Sequence, residues 1–213
     1  MTRDDTEAAV RHWDDRYRST SPVDVSWFEA TPQTSLELID AVAPPSPRSV
    51  VDVGGGAGRL VDHLVERGDR VAVVDISAVA IDAARERMSA AGADVDGVEW
   101  IVADVRAWVP RRRWDVWHDR ALLHFLTGPG DVDAYLDVMH SALVPGGAFV
   151  IGEFAEDGPT HCSGLAVHRY SGTEMHTLLA DAEIVEERRT VHVTPSGAGQ
   201  SFRWLAGRLG RAR

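Results

Sequence analysis

A glycine-rich stretch in the first third of the chain has the spacing of a ligand-binding turn. It reads Asp52-x-Gly54-x-Gly56-x-Gly58, directly after a run of β-branched residues and directly before a helical pattern. Glycine permits positive φ and lets a ligand approach the backbone closely. A helix N-terminus adds unpaired N–H groups and a partial positive charge. The stretch therefore predicts a strand, a tight turn and a helix that together bind a nucleotide-type cofactor.

A carboxylate follows at a distance that supports this interpretation. The apolar run Val71-Ala72-Val73-Val74 ends at Asp75, about 20 residues after Gly54. Continuous apolar character indicates a strand that is buried on both faces, and an acid at this distance is typical of the residue that accepts hydrogen bonds from ribose hydroxyls. The dinucleotide pattern G-x-G-x-x-G/A is not met, because Arg59 stands at its third position. A nicotinamide oxidoreductase is therefore disfavoured.

With these residues the chain resembles the class I S-adenosylmethionine-dependent methyltransferases. The element Leu143-x-Pro145-Gly146-Gly147, ahead of the fifth predicted strand, is a further feature of that family. The resemblance extends roughly from residue 50 to residue 208. It implies methyl transfer from the sulfonium of S-adenosylmethionine to a nucleophile, which leaves S-adenosylhomocysteine.

The resemblance also implies which residues contact the cofactor. Ile76 would lie against the adenine, and Asp104, after the third strand, would accept a hydrogen bond from the adenine amino group. Capping of a turn by Asp104 is an alternative that is compatible with this role. The predicted cofactor-binding residues are Trp13, Asp52, Gly54, Gly56, Gly58, Asp75, Ile76, Asp104 and Val105.

The N-terminal segment has aromatic residues at helical spacing, including Trp13 and Tyr17. In the family that the chain resembles, such an extension folds over the cofactor cleft as a lid. The alternative is a helix that packs on the domain with Trp13 and Trp27 as anchors. On the lid interpretation, Tyr17, Trp27 and Phe28 are expected at the acceptor.

The strand Trp114–Arg120 and the residues after it contain the candidates for catalysis. Ligands of doubly wound sheets bind at the carboxyl ends of strands, near the point where the strand order reverses. A general base is needed only if the acceptor carries a proton at neutral pH. The candidates are His118, Asp119 and His124, with hydrogen-bonded structural roles or an Asp119–Arg120 ion pair as alternatives. Arg120 or Arg169 is predicted to bind substrate, because the planar guanidinium matches a carboxylate.

Other kinds of acceptor and site are disfavoured. Strand four ends in His118-Asp119, not in the Asn/Asp-Pro-Pro-Tyr/Phe element of methylation at exocyclic amines of nucleobases or at glutamine. Cys162 follows His161 and not proline, so the Pro-Cys nucleophile of cytosine C5 methylation is not matched. His161, Cys162 and His168 make a weak metal constellation, so no metal site is predicted.

Alternating strand and helix patterns, with the resemblance, predict an α/β fold: a Rossmann-like, doubly wound, seven-stranded sheet whose last strand is antiparallel. The chain is expected to form a single domain, 1–213, in which 1–45 is a helical extension or lid and 46–213 is the core. Residues 155–170 are predicted to be irregular and able to wall the acceptor pocket. Residues 184–193 and 200–208 are predicted to form the closing hairpin.

Composition limits the partners. The net charge is −11 over 213 residues, which disfavours nucleic acid bound by bulk electrostatics. No apolar run approaches the ~18 residues that span a bilayer, the N-terminus lacks a signal-peptide apolar region, and one cysteine excludes an internal disulfide framework. We expect a cytoplasmic protein that does not bind membranes. The absence of lysine and the abundance of Ala, Gly, Val and Asp indicate a GC-rich bacterial genome.

The resulting expectation is a methyltransferase that acts on oxygen, sulfur or nitrogen of a small molecule. A protein methyltransferase for lysine or an N-terminus is the alternative, since some have a start similar to Trp13–Tyr17 followed by a Trp-Phe pair. A catalytically silent cofactor-binding scaffold is a third possibility. A monomer and a homodimer are both compatible with the sequence.

Overall fold

The computed structural model describes residues 3–210. A seven-stranded sheet lies at its centre, in the order β3-β2-β1-β4-β5-β9-β8. The strands are β1 (Ser49–Val53), β2 (Arg70–Asp75), β3 (Glu99–Val102), β4 (Trp114–Arg120), β5 (Leu143–Phe154), β8 (Ala182–Val193) and β9 (Gly199–Leu209). β9 runs antiparallel to both of its neighbours, whereas β1 to β5 are parallel. The predicted fold class, including the antiparallel last strand, is confirmed.

Helices cover both faces of this sheet. They are α1 (Arg3–Ser19), α2 (Gln33–Val42), α3 (Leu60–Glu66), α4 (Ala78–Ala90), α5 (Asp131–Ala142) and α6 (Gly172–Leu178). Successive strand residues point to opposite faces, so Val50 packs in the core under α2, α3 and α4, whereas Val51 packs in the core under α5 and α6. This two-sided burial explains why β1 is apolar apart from Ser49 and Asp52.

The register of the parallel strands brings their carboxyl ends to one edge. Val53 of β1 pairs with Val74 of β2 on one side and with Asp119 of β4 on the other. The strand order reverses between β1 and β4, which is where ligands of doubly wound sheets bind. The turn after β1 and the residues after β2, β3 and β4 therefore surround one cleft.

Two segments differ in detail from the sequence-based prediction. Residues 155–170 contain a small hairpin of β6 (His161–Cys162) and β7 (Leu165–Ala166). The proline-glycine element after α5 does not form a separate turn, because β5 already begins at Leu143 and runs through it, with Gly146 at φ +76°. No helix in residues 3–210 is both long enough and apolar enough to cross a membrane.

Candidate active site

The glycine turn after β1 has a backbone that only glycine accepts readily. Gly54 and Gly56 have φ values of +65° and +52°, in the left-handed region that disfavours other residues. A Cβ on Gly54 would lie 2.6 Å from Leu122 Cδ1, and one on Gly56 would lie 2.4 Å from the Tyr17 hydroxyl. Both glycines thus permit a close approach of other groups to the turn.

Asp75 ends β2 beside this turn and is 8% exposed. Its carboxylate accepts hydrogen bonds from the backbone N–H groups of Ser77, at 2.8 Å, and Gly56. Burial nevertheless raises the pKa of Asp75 to about 6, because the charged form is poorly solvated there. Asp75 is therefore a carboxylate with remaining acceptor capacity at the edge of a cleft.

A cleft of about 1100 Å³ runs along the carboxyl ends of β1, β2, β3 and β4. Its walls combine the strand ends with aromatic and aliphatic side chains from α1, from the segment after α1 and from the β6–β7 hairpin. Its lining residues are Asp5, Ala9, Trp13, Tyr17, Trp27, Gly54, Val74, Asp75, Ile76, Ala103, Val105, Arg106, Arg120, Ala121, Leu122, Phe125, Leu126, Cys162 and Leu165.

A smaller cleft of about 580 Å³ adjoins the first and shares Tyr17, Trp27, Gly54 and Arg120 with it. Its other walls come from the glycine turn and from the segment between α1 and α2. Among the predicted site residues, Asp52, Gly58, Phe28 and His118 line this smaller cleft.

Helix α1 lies across the larger cleft and bonds to three strand ends. Thr6 Oγ1 donates to Asp104 Oδ2 at 3.4 Å, after β3. Asp14 Oδ1 accepts a 2.7 Å hydrogen bond from Ser77 Oγ, after β2. Tyr17 contacts the glycine turn after β1. Helix α1 therefore lies over the strand ends that surround the larger cleft, and its role as a lid stays a prediction.

An aromatic cluster closes one end of the larger cleft. The Trp13 ring meets those of Phe125 and Trp27 edge-on, with centroids 5.0 and 6.0 Å away, and Tyr17 meets Trp27 at 6.1 Å. Offset and edge-to-face pairs of this kind are favourable. Trp13, predicted at the cofactor, thus lies beside Tyr17 and Trp27, predicted at the acceptor, and Phe125 is an additional member that the sequence did not single out.

Asp104 caps the short helical turn Val105–Ala107, which is the alternative role given in the sequence analysis. Its two oxygens accept hydrogen bonds from the backbone, Nε and Nη2 of Arg106, and Arg106 also donates to Asp131 at 2.9 Å. The guanidinium holds the pKa of the Asp104 carboxyl below its usual range, against the opposing effect of burial. Arg106 and Val105 line the cleft and Asp104 does not. A salt bridge between residues two apart has no distinctive sequence pattern, so the sequence does not predict that Arg106 lines the cleft.

None of the three candidate bases lines the larger cleft. His118, 3% exposed, lies between Asp52 Oδ1, 2.7 Å from Nδ1, and Ser35 Oγ, 2.9 Å from Nε2. Both ring nitrogens therefore have partners. This geometry contradicts the prediction of a free general base at His118, even though the residue lines the smaller cleft.

Asp119, in β4, and His124, in the short helical turn after it, are both fully buried. His124 Nδ1 is 2.8 Å from Glu153 Oε2, yet it has no aligned hydrogen-bond partner in the described part of the chain, and burial lowers the pKa of His124 to about 3. Asp119 accepts from the Tyr135 hydroxyl at 2.7 Å and from Leu122 N at 3.0 Å. Neither residue lines a cleft, so the geometry contradicts both as general bases.

The two predicted substrate-binding arginines separate in the structure. Arg120 lines both clefts. Arg169 is exposed, donates to Gly158 O at 3.4 Å and lines neither cleft, so the structure does not bring it to the site. Cys162 and Leu165 of the β6–β7 hairpin do line the larger cleft, in line with the expectation that residues 155–170 wall it. Burial raises the pKa of the Cys162 thiol to about 11. Within residues 3–210 no three side chains are grouped as metal ligands.

Known proteins share both sequence and fold with this chain. Residues 50–147 match a family described as a methyltransferase domain. Trans-aconitate 2-methyltransferase of Paracidovorax citrulli is 33% identical over 119 residues, which are 54% of this chain and 42% of that protein. An uncharacterised methyltransferase of Mycobacterium bovis is 30% identical over 55% of this chain and 56% of its own length. The chain thus spans about half the length of the curated relatives it matches.

Solved structures extend the likeness to the whole fold. A 1,6-didemethyltoxoflavin N1-methyltransferase from Burkholderia thailandensis, solved with S-adenosylhomocysteine, superposes with a TM-score of 0.68 at 22% identity, over 98% of this chain and 87% of its own. A methyltransferase from Anabaena variabilis reaches 0.74 at 14% identity, over 96% and 94%. At these identities the likeness shows the fold. The domain match and the curated relatives show that residues 50–147 are similar to methyltransferase domains, and the solved structures show that the chain has the fold of class I methyltransferases.

Proposed function

We propose that this chain transfers the methyl group of S-adenosylmethionine to an oxygen, sulfur or nitrogen atom of a small molecule. The observation that carries the proposal is one continuous cleft, which joins the glycine turn and Asp75 to an aromatic end formed by Trp13, Trp27 and Phe125. A cofactor site and an acceptor site must adjoin in this way for direct transfer between them.

The residues present fit the cofactor. Asp75 offers a buried carboxylate for ribose hydroxyls, and the turn at Gly54 and Gly56 leaves no room for a Cβ where a ligand would approach. Ile76 and Val105 offer apolar contact for the adenine, and the turn with Asp52 would hold the amino-acid end. When bound, the cofactor supplies a methyl group that is already activated on a sulfonium.

The chain's own task is then to align the reactants and to exclude water. Helix α1 and the rings of Trp13 and Trp27 cover the cleft for this purpose. Because His118 and Asp119 are hydrogen-bonded to protein groups and His124 is buried away from both clefts, we propose an acceptor atom that offers its lone pair at neutral pH without a side-chain base.

The relatives support a small-molecule acceptor. The names of similar proteins include trans-aconitate and a toxoflavin precursor as substrates. A cleft covered by α1 also favours a small molecule over a protein side chain. A net charge of −11 opposes nucleic acid. The bacterial relatives agree with a bacterial source, and we retain the sequence-based expectation of a cytoplasmic location.

Calorimetry with S-adenosylhomocysteine tests the cofactor site. We expect the wild-type chain to bind it, and Asp75→Asn to weaken binding about tenfold or more, because a charged acceptor of hydrogen bonds is lost. Asp82→Asn, an exposed acid on α4, is the control and should bind as the wild type does. Absence of binding by the wild type, or full affinity of Asp75→Asn, would overturn the proposal. Mass spectrometry then detects methylated products.

A further inference from the structure

Two guanidinium groups lie near the aromatic end of the larger cleft: Arg120 lines the cleft, and Arg16 lies over the ring of Trp27, a lining residue, without lining the cleft itself. Arg16 comes from α1 and Arg120 from the end of β4. Both lie close enough to Cys162, a residue of the cleft wall, for their charges to act on its thiol. The chain as a whole carries a net charge of −11, so two arginines near one another are a local positive charge on an acidic protein.

Arg120 is buried with incomplete pairing. Its side chain is 12% exposed, and Nη1 donates to the carbonyl oxygen of Trp27 at 2.8 Å. Nη2 lies 3.4 Å from Glu29 Oε1, but neither Nη2 nor Nε has an aligned hydrogen-bond partner among residues 3–210. Buried donors without partners are costly, so these nitrogens point to a ligand that accepts hydrogen bonds.

Arg16 is even less neutralised. Its guanidinium lies 5.9 Å from the centre of the Trp27 ring, in a cation–π contact. No carboxylate in the described part of the chain forms an ion pair with it, and its Nε is buried without a hydrogen-bond partner there. Among the ion pairs of the described residues, Glu29 pairs with Arg120 and no carboxylate pairs with Arg16.

We propose that the methyl acceptor carries a carboxylate that pairs with Arg16 and Arg120 beside the rings of Trp13 and Trp27. The planar fork of arginine matches the two oxygens of a carboxylate, and such charge-assisted bonds are strong where water is excluded. This inference rests on the proposed function and narrows its substrate class to small organic anions with an apolar or aromatic body.

Binding of matched acids and amides tests the proposal. The probes are 4-mercaptobenzoate and 4-hydroxybenzoate with their primary amides, titrated calorimetrically into the protein saturated with S-adenosylhomocysteine. The acids should bind the wild type about tenfold or more tightly than the amides. Arg16→Gln and Arg120→Gln should abolish this preference while amide binding changes little. Mass spectrometry should detect methyl transfer to 4-mercaptobenzoate first, because a thiol ionises more readily than a phenol and needs no side-chain base.

Arg11→Gln is the matched control, because Arg11 lies on the same helix with an exposed side chain that pairs only weakly with Glu7. It should keep the preference for acids. Arg120→Gln removes a buried side chain, so Arg16→Gln decides the outcome if the former does not fold. Equal binding of acids and amides, no binding of either acid at millimolar concentration, or an unchanged preference in Arg16→Gln would overturn the inference.

The two proposals fail in different ways. If S-adenosylhomocysteine does not bind to the wild type, the proposed function fails. If it binds to the wild type and to Arg16→Gln equally, and the acids still have no advantage, only the carboxylate inference fails.

Discussion

Neighbouring side chains after β4 point in opposite directions, His124 into the core and Phe125 into the cleft. His124 follows the strand at a position where a catalytic histidine is chemically reasonable, yet its ring is fully buried against Phe154 and Glu153. The rotation of the short helical turn at Leu123–Phe125 decides this, because it turns Phe125 to the cleft and His124 to the core.

We therefore predict that His124→Ala acts on stability. Removing a fully buried ring should lower the free energy of unfolding by about 2–4 kcal/mol, as for other large-to-small core changes. Urea denaturation followed by tryptophan fluorescence measures this. His140→Ala, an exposed histidine on α5, is the control. Unchanged stability together with lost methyl transfer would instead restore His124 as a candidate base.

The residue scale is also where sequence reasoning reached its limit. Gly54, Gly56 and Asp75 are encoded by local spacing, because turn geometry and strand ends depend on neighbours along the chain. The direction of His118 and the pairing of Asp104 depend on groups distant in sequence or on a rotamer, such as Ser35 at 2.9 Å from His118. Their roles could not be read from pattern alone.

At the scale of elements, α1 is the part of the fold with the clearest functional consequence. It is amphipathic, and its contacts to Ser77, Asp104 and the glycine turn are mostly polar. Besides these polar bonds, the rings of Trp13 and Tyr17 pack against Phe125 and Trp27, so separation of α1 from the core breaks both kinds of contact. Release of the cofactor requires this separation if α1 acts as a lid.

Asp14→Ala should accelerate dissociation of S-adenosylhomocysteine about fivefold, because it removes the bond from Ser77 that holds α1 to the start of α4. Stopped-flow fluorescence measures the rate. Asp15→Ala is the matched control: Asp15 is exposed on the same helix and bonds only to Arg18 in the described structure. Equal rates in the two variants would contradict a latch at Asp14.

Elements were predicted well where apolar periodicity is long. The strand that ends at Asp75, the strand Trp114–Arg120 and the closing hairpin predicted at 184–193 and 200–208 agree closely with the structure, since burial on one or two faces imposes the pattern. The β6–β7 hairpin was not foreseen, because two-residue strands leave no periodicity. Its position over the cleft is set by contacts such as His168 N to His124 O, at 2.9 Å, which are tertiary.

At the scale of the whole molecule, buried carboxyl groups link stability to pH. Burial raises the pKa of Glu153 to about 8 and raises that of Asp119 well above its usual value. An acid whose pKa is raised by folding stays protonated while the unfolded chain ionises. Its contribution to stability is therefore largest below the unfolded pKa, near 4.5, and is lost as pH rises towards 8.

We predict that the free energy of unfolding falls between pH 6 and pH 8, with a smaller fall in Glu153→Gln. Urea denaturation at several pH values gives the two slopes, and their difference isolates Glu153 from histidines that titrate in the same window. The absolute stability of the variant is not the readout, because an amide cannot accept both backbone N–H groups that Glu153 accepts. Parallel slopes would contradict the raised pKa.

The placement of α1 has a mechanical consequence. The 17 residues of this helix form a stiff rod about 25 Å long, joined to the core through Thr20–Pro32 at its C-terminal end. A swing about that joint moves Thr6 far and Tyr17 little. The cleft would then open widest near Asp104, whereas the end formed by Trp13, Trp27 and Phe125 would stay nearly closed. S-adenosylhomocysteine would therefore leave at the end of the cleft away from the acceptor.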